Sequence, residues 1–249
     1  MNRRLMLAVP CNPMGAVDAN LVEWLMHTRL DGWDIETHLE RNAPVCQARN
    51  VLVKKFLASK CEVLLTIDSD QIPQSSSDKT GGIRLLIEDI ERDDVDIVNA
   101  ITVRGSDDGP VPVIQKIRDD YSGELHVGIL SKPVGLHELG ERGVVGGAAI
   151  MVKRRVLQAF HDAGIPWFKD VYVDKPGIKF SSLDGRDMFG ERRIGHDYWF
   201  FMEARKLGFR SWVDTRVFWG HVKANDMRKE YLRDLKMMKQ IDQLKAVTV

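Results

Sequence analysis

Glu62-Val63-Leu64-Leu65-Thr66-Ile67-Asp68-Ser69-Asp70 is the stretch on which the fold turns. Residues 62–67 form a mainly apolar run rich in β-branched side chains. A run of this kind reads as a strand buried on both faces, and such strands belong to sheets covered by helices on either side. The run ends abruptly in two carboxylates. In open α/β sheets ligands bind in the crevice outside the carboxyl ends of the strands, so Asp68 and Asp70 stand where chemistry is expected.

Upstream, residues 5–9 (Leu-Met-Leu-Ala-Val) are a second continuous apolar run, closed by Pro10, and read as the first strand. Val17, Leu21, Trp24, Leu25 and Thr28 recur at three- and four-residue spacing, which predicts a helix over 16–30 stopped by Asp31-Gly32. A strand follows at 35–39. A second helix over 44–59 carries Val45, Ala48, Leu52 and Phe56 on one face. The chain thus opens as a β-α-β-α series leading into the strand at 62–67.

Downstream, residues 71–79 are polar and serine-rich and read as a loop, followed by a helix at 82–93 and a strand at 96–100. The alternation then fades. Residues 104–110 read as a Gly- and Asp-rich loop, and 111–117 and 124–130 as short antiparallel strands. The apolar segment 144–152 contains Gly146 and Gly147 side by side, a sign of close backbone approach. A helix over 153–163 is closed by Gly164. Residues 168–190 form a long irregular stretch of the kind that serves as a functional lid. Gly195-His196-Asp197 opens a helix running to Leu207 and ended by Gly208. Two short strands, 211–214 and 217–219, precede His221, and 225–247 is a charged amphipathic helix.

With 249 residues, 44% hydrophobic and 29% charged, the chain has the composition of a soluble globular protein with one large α/β domain. Lys plus Arg and Asp plus Glu number 36 each, so no net field draws the whole molecule to nucleic acid or an anionic membrane. Cys11, Cys46 and Cys61 are odd in number and lack CxxC spacing, which excludes a disulfide framework or structural zinc and fits a reducing cytoplasm. The apolar run before Pro10 is too short for a signal-peptide core or a membrane span, so a cytoplasmic location without a membrane span is expected. Neither a Walker loop nor a GxGxxG after the first strand occurs, which sets aside ATPases and nicotinamide enzymes.

Two carboxylates two residues apart, just past a buried strand, can face one cleft and offer the hard oxygen ligands that suit Mg²⁺ or Mn²⁺. As turn and cap residues the same tripeptide would carry no chemistry. The wider series resembles the GT-A glycosyltransferases, especially the family-two-like enzymes of bacteria and their phages. The residues carrying the resemblance are Ala8-Val9-Pro10, Ala48-Arg49-Asn50, residues 64–70, Asp96-Ile97-Val98, 146–155 and 195–221.

The resemblance implies a single GT-A domain, a Rossmann-like mixed sheet flanked by helices, over residues 1–222, with a C-terminal helix at 223–249. Residues 1–100 would be the nucleotide-sugar-binding half and 101–222 the acceptor-side half. It implies that Pro10 to Asn12 contact the nucleotide, that Asp68 and Asp70 bind Mn²⁺ or Mg²⁺ and the diphosphate, and that His221 completes the metal site. Arg49, with its fork of donors, would contact the diphosphate or ribose of a UDP- or GDP-linked donor. Asp197 would be the base of an inverting transfer to an acceptor hydroxyl. A glycan or a hydroxymethylated nucleobase in DNA are the acceptor classes, and a phage-encoded enzyme would work in the host cytoplasm. In the family an acidic pair precedes the late helix, whereas here His196 stands in place of the usual glutamate. The alternatives are a phosphatase of the haloacid dehalogenase type, whose motif normally lies on the first strand, a nucleotidyltransferase, and a noncatalytic nucleotide-sugar-binding module.

Overall fold

The computed structural model describes residues 3–11, 17–41, 43–73, 80–106, 109–117, 123–125, 127–173, 179–181, 187–189 and 192–221. The strand Arg3–Pro10 (β1) shows why the apolar runs are continuous. Leu5, Leu7 and Val9 point into one core and Met6 and Ala8 into another, so no position from Leu5 to Val9 meets water. Along the chain follow α1 (Ala19–His27), β2 (Trp33–Glu40), α2 (Val45–Ala58), β3 (Val63–Ile67), β4 (Gln71–Ile72), α3 (Ile83–Ile90) and β5 (Ile97–Ser106). Then come β6 (Gly109–Pro112), β7 (Ile114–Ile117), β8 (Gly123–Leu125), α4 (Val127–Leu130), β9 (Leu136–Glu138), β10 (Gly143–Val145), β11 (Ala149–Lys153) and α5 (Arg154–Asp162). The described chain closes with β12 (Val171–Val173), β13 (Lys179–Ser181), β14 (Asp187–Phe189), β15 (Arg192–Ile194), α6 (His196–Lys206) and β16 (Ser211–His221).

The main sheet runs β2-β1-β3-β11-β5-β16-β4, with β6 paired to β5 and β9 to β16. It is mixed: β1 lies parallel to β2 and β3, β5 parallel to β16, and β11 is inserted antiparallel between β3 and β5. One face is covered by α2, α5 and α6 through Leu52, Phe56, Leu157, Phe160 and Phe200; the other by α1 and α3 through Leu21, Trp24, Ile83 and Leu86. The fold is therefore α/β, a mixed sheet flanked by helices. Among the described residues no helix is long and apolar enough to cross a membrane.

Four sequence expectations shift. The loop at 104–110 contains the arms of a hairpin, with Arg104 opposite Val111 and Ser106 opposite Gly109. The strand at 111–117 breaks at Val113, whose N–H is taken by Thr102 O while Pro112 has none to give. The strand expected at 124–130 stops at Leu125 and gives way to α4. Conversely, the two strands at 211–214 and 217–219 are one, β16, whose register against β5 shifts between Asp214 and Phe218. Gly164 and Gly208 do end their helices, at φ of 68° and 88°, in the left-handed region that favours glycine. The helix expected at 225–247 lies outside the described residues.

The irregularity in β16 holds a charge cluster whose two acids, Asp89 and Asp214, are buried. Asp214 accepts from the Arg216 backbone N–H (2.8 Å) and side chain (2.9 Å), and Arg216 also reaches Asp89 of α3 at 3.1 Å. Burial, then the hydrogen bond and charge of Asp214, push Asp89 up to about 7, against the pull of Arg216. The native state therefore holds a proton there that the unfolded chain gives up near pH 4. Asp89 penalises folding progressively as pH rises from about 4 to about 7. Asp89→Asn is expected to gain stability relative to the parent at pH 8 but not at pH 4, read as urea midpoints. An equal difference at both pH values would show that Asp89 does not titrate this way.

Candidate active site

Asp68 follows β3 directly, and its N–H is fixed by Ala148 O at 3.1 Å while its carbonyl closes a turn on Gln71 N at 3.1 Å. Its side chain does not cap that turn. Asp68 Oδ1 accepts from Arg49 Nη2 at 2.6 Å. Arg49 lies on the buried stripe of α2 with Ala48, Leu52, Val53 and Phe56, and is itself 0% exposed. The same Nη2 donates to Gly147 O at 2.6 Å, and Nη1 donates to Asp197 Oδ1. The guanidinium carbon stands 5.3 Å from the centroid of the Phe168 ring. One arginine thus ties the end of β3, the Gly146-Gly147 turn and the start of α6 into a single cluster.

Asp197 sits in the first turn of α6, whose N-cap, Gly195, has no side chain to offer, and the Asp197 carboxylate reaches out of the helix to Gly147. Its Oδ2 accepts from Gly147 N at 2.9 Å and its Oδ1 lies 2.9 Å from His196 Nε2. The other ring nitrogen of His196, Nδ1, is 3.3 Å from Asp170 Oδ1. Asn50, next to Arg49, grips the backbone of Phe168 from both sides, donating to its carbonyl (2.8 Å) and accepting from its N–H (3.1 Å). This places Phe168 and Asp170 against the cluster. Asp68 and Asp197 keep 29% and 23% of their side-chain surface open, so the acids, unlike the arginine, face solvent.

The ionisation states follow from this geometry. Burial works to discharge Arg49, but Asp68 and Asp197 outweigh it and hold the guanidinium charged. Burial lifts the Asp68 carboxyl, Arg49 pulls it back, and the charges of Asp197 and Asp70 add to the rise. Burial acts on Asp197 in the same direction, yet Arg49, His196 and the Gly147 N–H override it and hold that carboxyl far below the usual range. Burial works against a charged His196, but its bonds to Asp170 and Asp197 raise its proton affinity over that opposition.

Of the other residues singled out in the sequence, Pro10 ends β1 opposite Glu40, at the same carboxyl edge as Asp68. Asn12 lies outside the described residues. His221 pairs through its backbone with Gln71, the residue after Asp70, which puts it one strand away from the acid pair. Arg205 belongs elsewhere: its Nη2 donates to Gly143 O at 2.8 Å. Asp170 and Phe168 carried no signal in a stretch read only as irregular. Gly147 did: a Cβ there would run into the Asp197 carboxylate and the Arg49 guanidinium, the close approach the paired glycines suggest.

No protein-family model matches the chain, and no curated protein matches it. Solved structures do. A197 from STIV aligns over 85% of this chain and 82% of its own at 17% identity, with a TM-score of 0.46. GalNAc-T7, solved with UDP, GalNAc and Mn²⁺, aligns over 88% of this chain and 43% of its own at 11% identity and a TM-score of 0.43. CMP:2-keto-3-deoxy-manno-octonic acid synthetase, solved with CTP, aligns over 96% and 100% at 7% identity and a TM-score of 0.44.

Proposed function

We propose that the chain is a glycosyltransferase that moves a sugar from a UDP- or GDP-linked donor to an acceptor hydroxyl with the help of Mn²⁺ or Mg²⁺. The observation that carries the reading is the bridge made by Arg49 between Asp68, at the carboxyl end of β3, and Asp197, at the start of α6. In this reading residues 1–100 supply the donor side, with Pro10, Asn12, Arg49, Asp68 and Asp70, and residues 101–222 supply Asp197 and the acceptor side.

The residues suit a divalent cation. Asp68 and Asp197 share the one guanidinium of Arg49, and Asp70 stands close enough to Asp68 for its charge to raise that carboxyl. Among the described residues no group of three or more His, Cys, Asp or Glu is placed to hold an ion. Two carboxylates are nonetheless what Mg²⁺-type sites commonly offer, with substrate phosphates completing the shell. Gln71, buried beside Asp70, finds no hydrogen-bond partner among the described residues for either its amide nitrogen or its oxygen, a cost of about 1–3 kcal/mol for each such group that a polar ligand would relieve. Asp68 and Asp70 would hold the cation, with His221 as a third ligand, and what the cation would supply there is neutralisation of charge on the departing diphosphate. Arg49 orients both acids. Asp197, ionised at every working pH, accepts the proton of the acceptor hydroxyl as that oxygen displaces the diphosphate with inversion.

Calorimetric titration of UDP and GDP, each with and without Mn²⁺, tests this. One nucleotide is expected to bind only with the metal, and Asp70→Asn to weaken that binding at least about tenfold, roughly 1.4 kcal/mol. Binding of neither nucleotide would overturn the reading.

A further inference from the structure

The ring of His196 lies between two carboxylates, Asp170 Oδ1 at 3.3 Å from Nδ1 and Asp197 Oδ1 at 2.9 Å from Nε2, and is packed edge-on against Phe168. The His196 backbone N–H also points to Asp170 Oδ1, at 3.3 Å, so this acid fixes both the ring and the start of α6. Asp197 presents a difficulty for simple base catalysis. Arg49, the largest of the groups that lower it, and the Gly147 N–H hold this carboxylate acidic whatever the charge on His196, so it is ready to receive a proton but has little tendency to keep it. The imidazole beside it has the greater proton affinity. Beyond the imidazole, Asp170 keeps 23% of its side chain exposed, on the way to solvent.

Building on the glycosyl-transfer reading, we propose that His196 and Asp170 form the outlet for the acceptor proton. The acceptor O–H bond breaks as its oxygen bonds to the anomeric carbon, and the bond from that carbon to the diphosphate breaks with its electron pair leaving on the nucleotide. The proton lands on Asp197 and passes to Nε2 of neutral His196, while the Nδ1 proton moves to Asp170 and on to water. His196 acts through Asp197 and is a positioning, proton-carrying residue. Among the described residues the charged groups that face it are Asp170 and Asp197, which favour its protonated form, and Arg49 of α2, which opposes it.

The sign of the pH dependence follows. Protonated His196 has no lone pair to offer, so turnover falls as pH drops through the His196 ionisation. Asp170 raises that ionisation, so Asp170→Asn moves the limb to lower pH. His196→Gln keeps a donor for Asp197 but cannot titrate; it removes the limb and lowers kcat about tenfold, below the 10²–10⁴ of a full acid–base group, with donor KM unchanged.

Two measurements on the full chain test the relay. In ¹⁵N-histidine spectra, with the His196 signal assigned from His196→Gln, the ring is expected to titrate above the ordinary value of about 6.5 and to fall in Asp170→Asn. In parallel, nucleoside diphosphate release from UDP-glucose and GDP-mannose with Mn²⁺ is followed against pH in the parent and both variants. An ordinary His196 ionisation unmoved by Asp170→Asn overturns the relay. So does a low-pH limb that persists in His196→Gln while Mn²⁺-dependent UDP or GDP binding is intact. Absence of that binding, with the ring titrating as expected, brings down the glycosyl-transfer reading and the relay with it.

Discussion

Arg49→Met is expected to lower the unfolding free energy by about 3–5 kcal/mol, the range seen when one partner of a buried ion pair is removed and the other stays. Arg49 has no exposed surface and serves three acceptors at once: Asp68, Asp197 and the Gly147 carbonyl. Methionine would fill much of its volume and keep contact with Phe168, so the loss would reflect charge and hydrogen bonding more than a cavity. The two acids would then repel each other without a mediator. Asp197, whose depressed ionisation stabilises the native state above about pH 4, would lose most of that contribution, and Asp68 would rise further. Urea unfolding at pH 7 reads the loss. Adding Asp68→Asn to Arg49→Met should recover part of it, since removing both members of a pair is milder than removing one. A single variant within about 1 kcal/mol of the parent would mean that the bridge is no stronger than a surface ion pair.

The strands and helices were legible because burial imposes local periodicity. The strands β1 and β3 are apolar throughout because both faces meet a core, and α2 shows its stripe at the right spacing. The position of Asp68 at a strand end needed no more than that. What joins the site together was harder to read, since Arg49, Gly147 and Asp197 come from three separate elements and their contacts are long-range. One local signal was present: Arg49 falls three and seven residues before Leu52 and Phe56, on the apolar stripe itself, where a charge is stable only with partners. Asp170 left no such trace, because a single acid in an irregular stretch has no period to violate. Boundaries failed where polar residues are buried. Asp214 and Arg216 interrupt the apolar pattern of β16, so one long strand reads as two.

Gly147→Ala is expected to cost about 1–3 kcal/mol, the usual price of overpacking, and to lower turnover of the nucleotide sugar by about tenfold or more, roughly 1.4 kcal/mol of barrier. The glycine acts through its backbone on both sides of the bridge, accepting from Arg49 at 2.6 Å and donating to Asp197 at 2.9 Å. A methyl group on its Cα would overlap the Asp197 carboxylate and the Arg49 guanidinium. Arg49 cannot yield, being wholly buried and held by Asp68, so Asp197 must move, losing the Gly147 N–H and its contact with the guanidinium together. Gly146→Ala is the matched control. Its Cβ would press on Val113 Cγ1 at 2.7 Å, an apolar contact outside the bridge, and it should lower stability while leaving turnover near the parent value. Urea midpoints and nucleoside diphosphate release from UDP-glucose and GDP-mannose on the two variants separate the effects. Loss of turnover confined to Gly147→Ala would tie the close approach to the acid bridge. Turnover retained in both would mean that Asp197 keeps its function without the Gly147 amide, and that the paired glycines are there for packing alone.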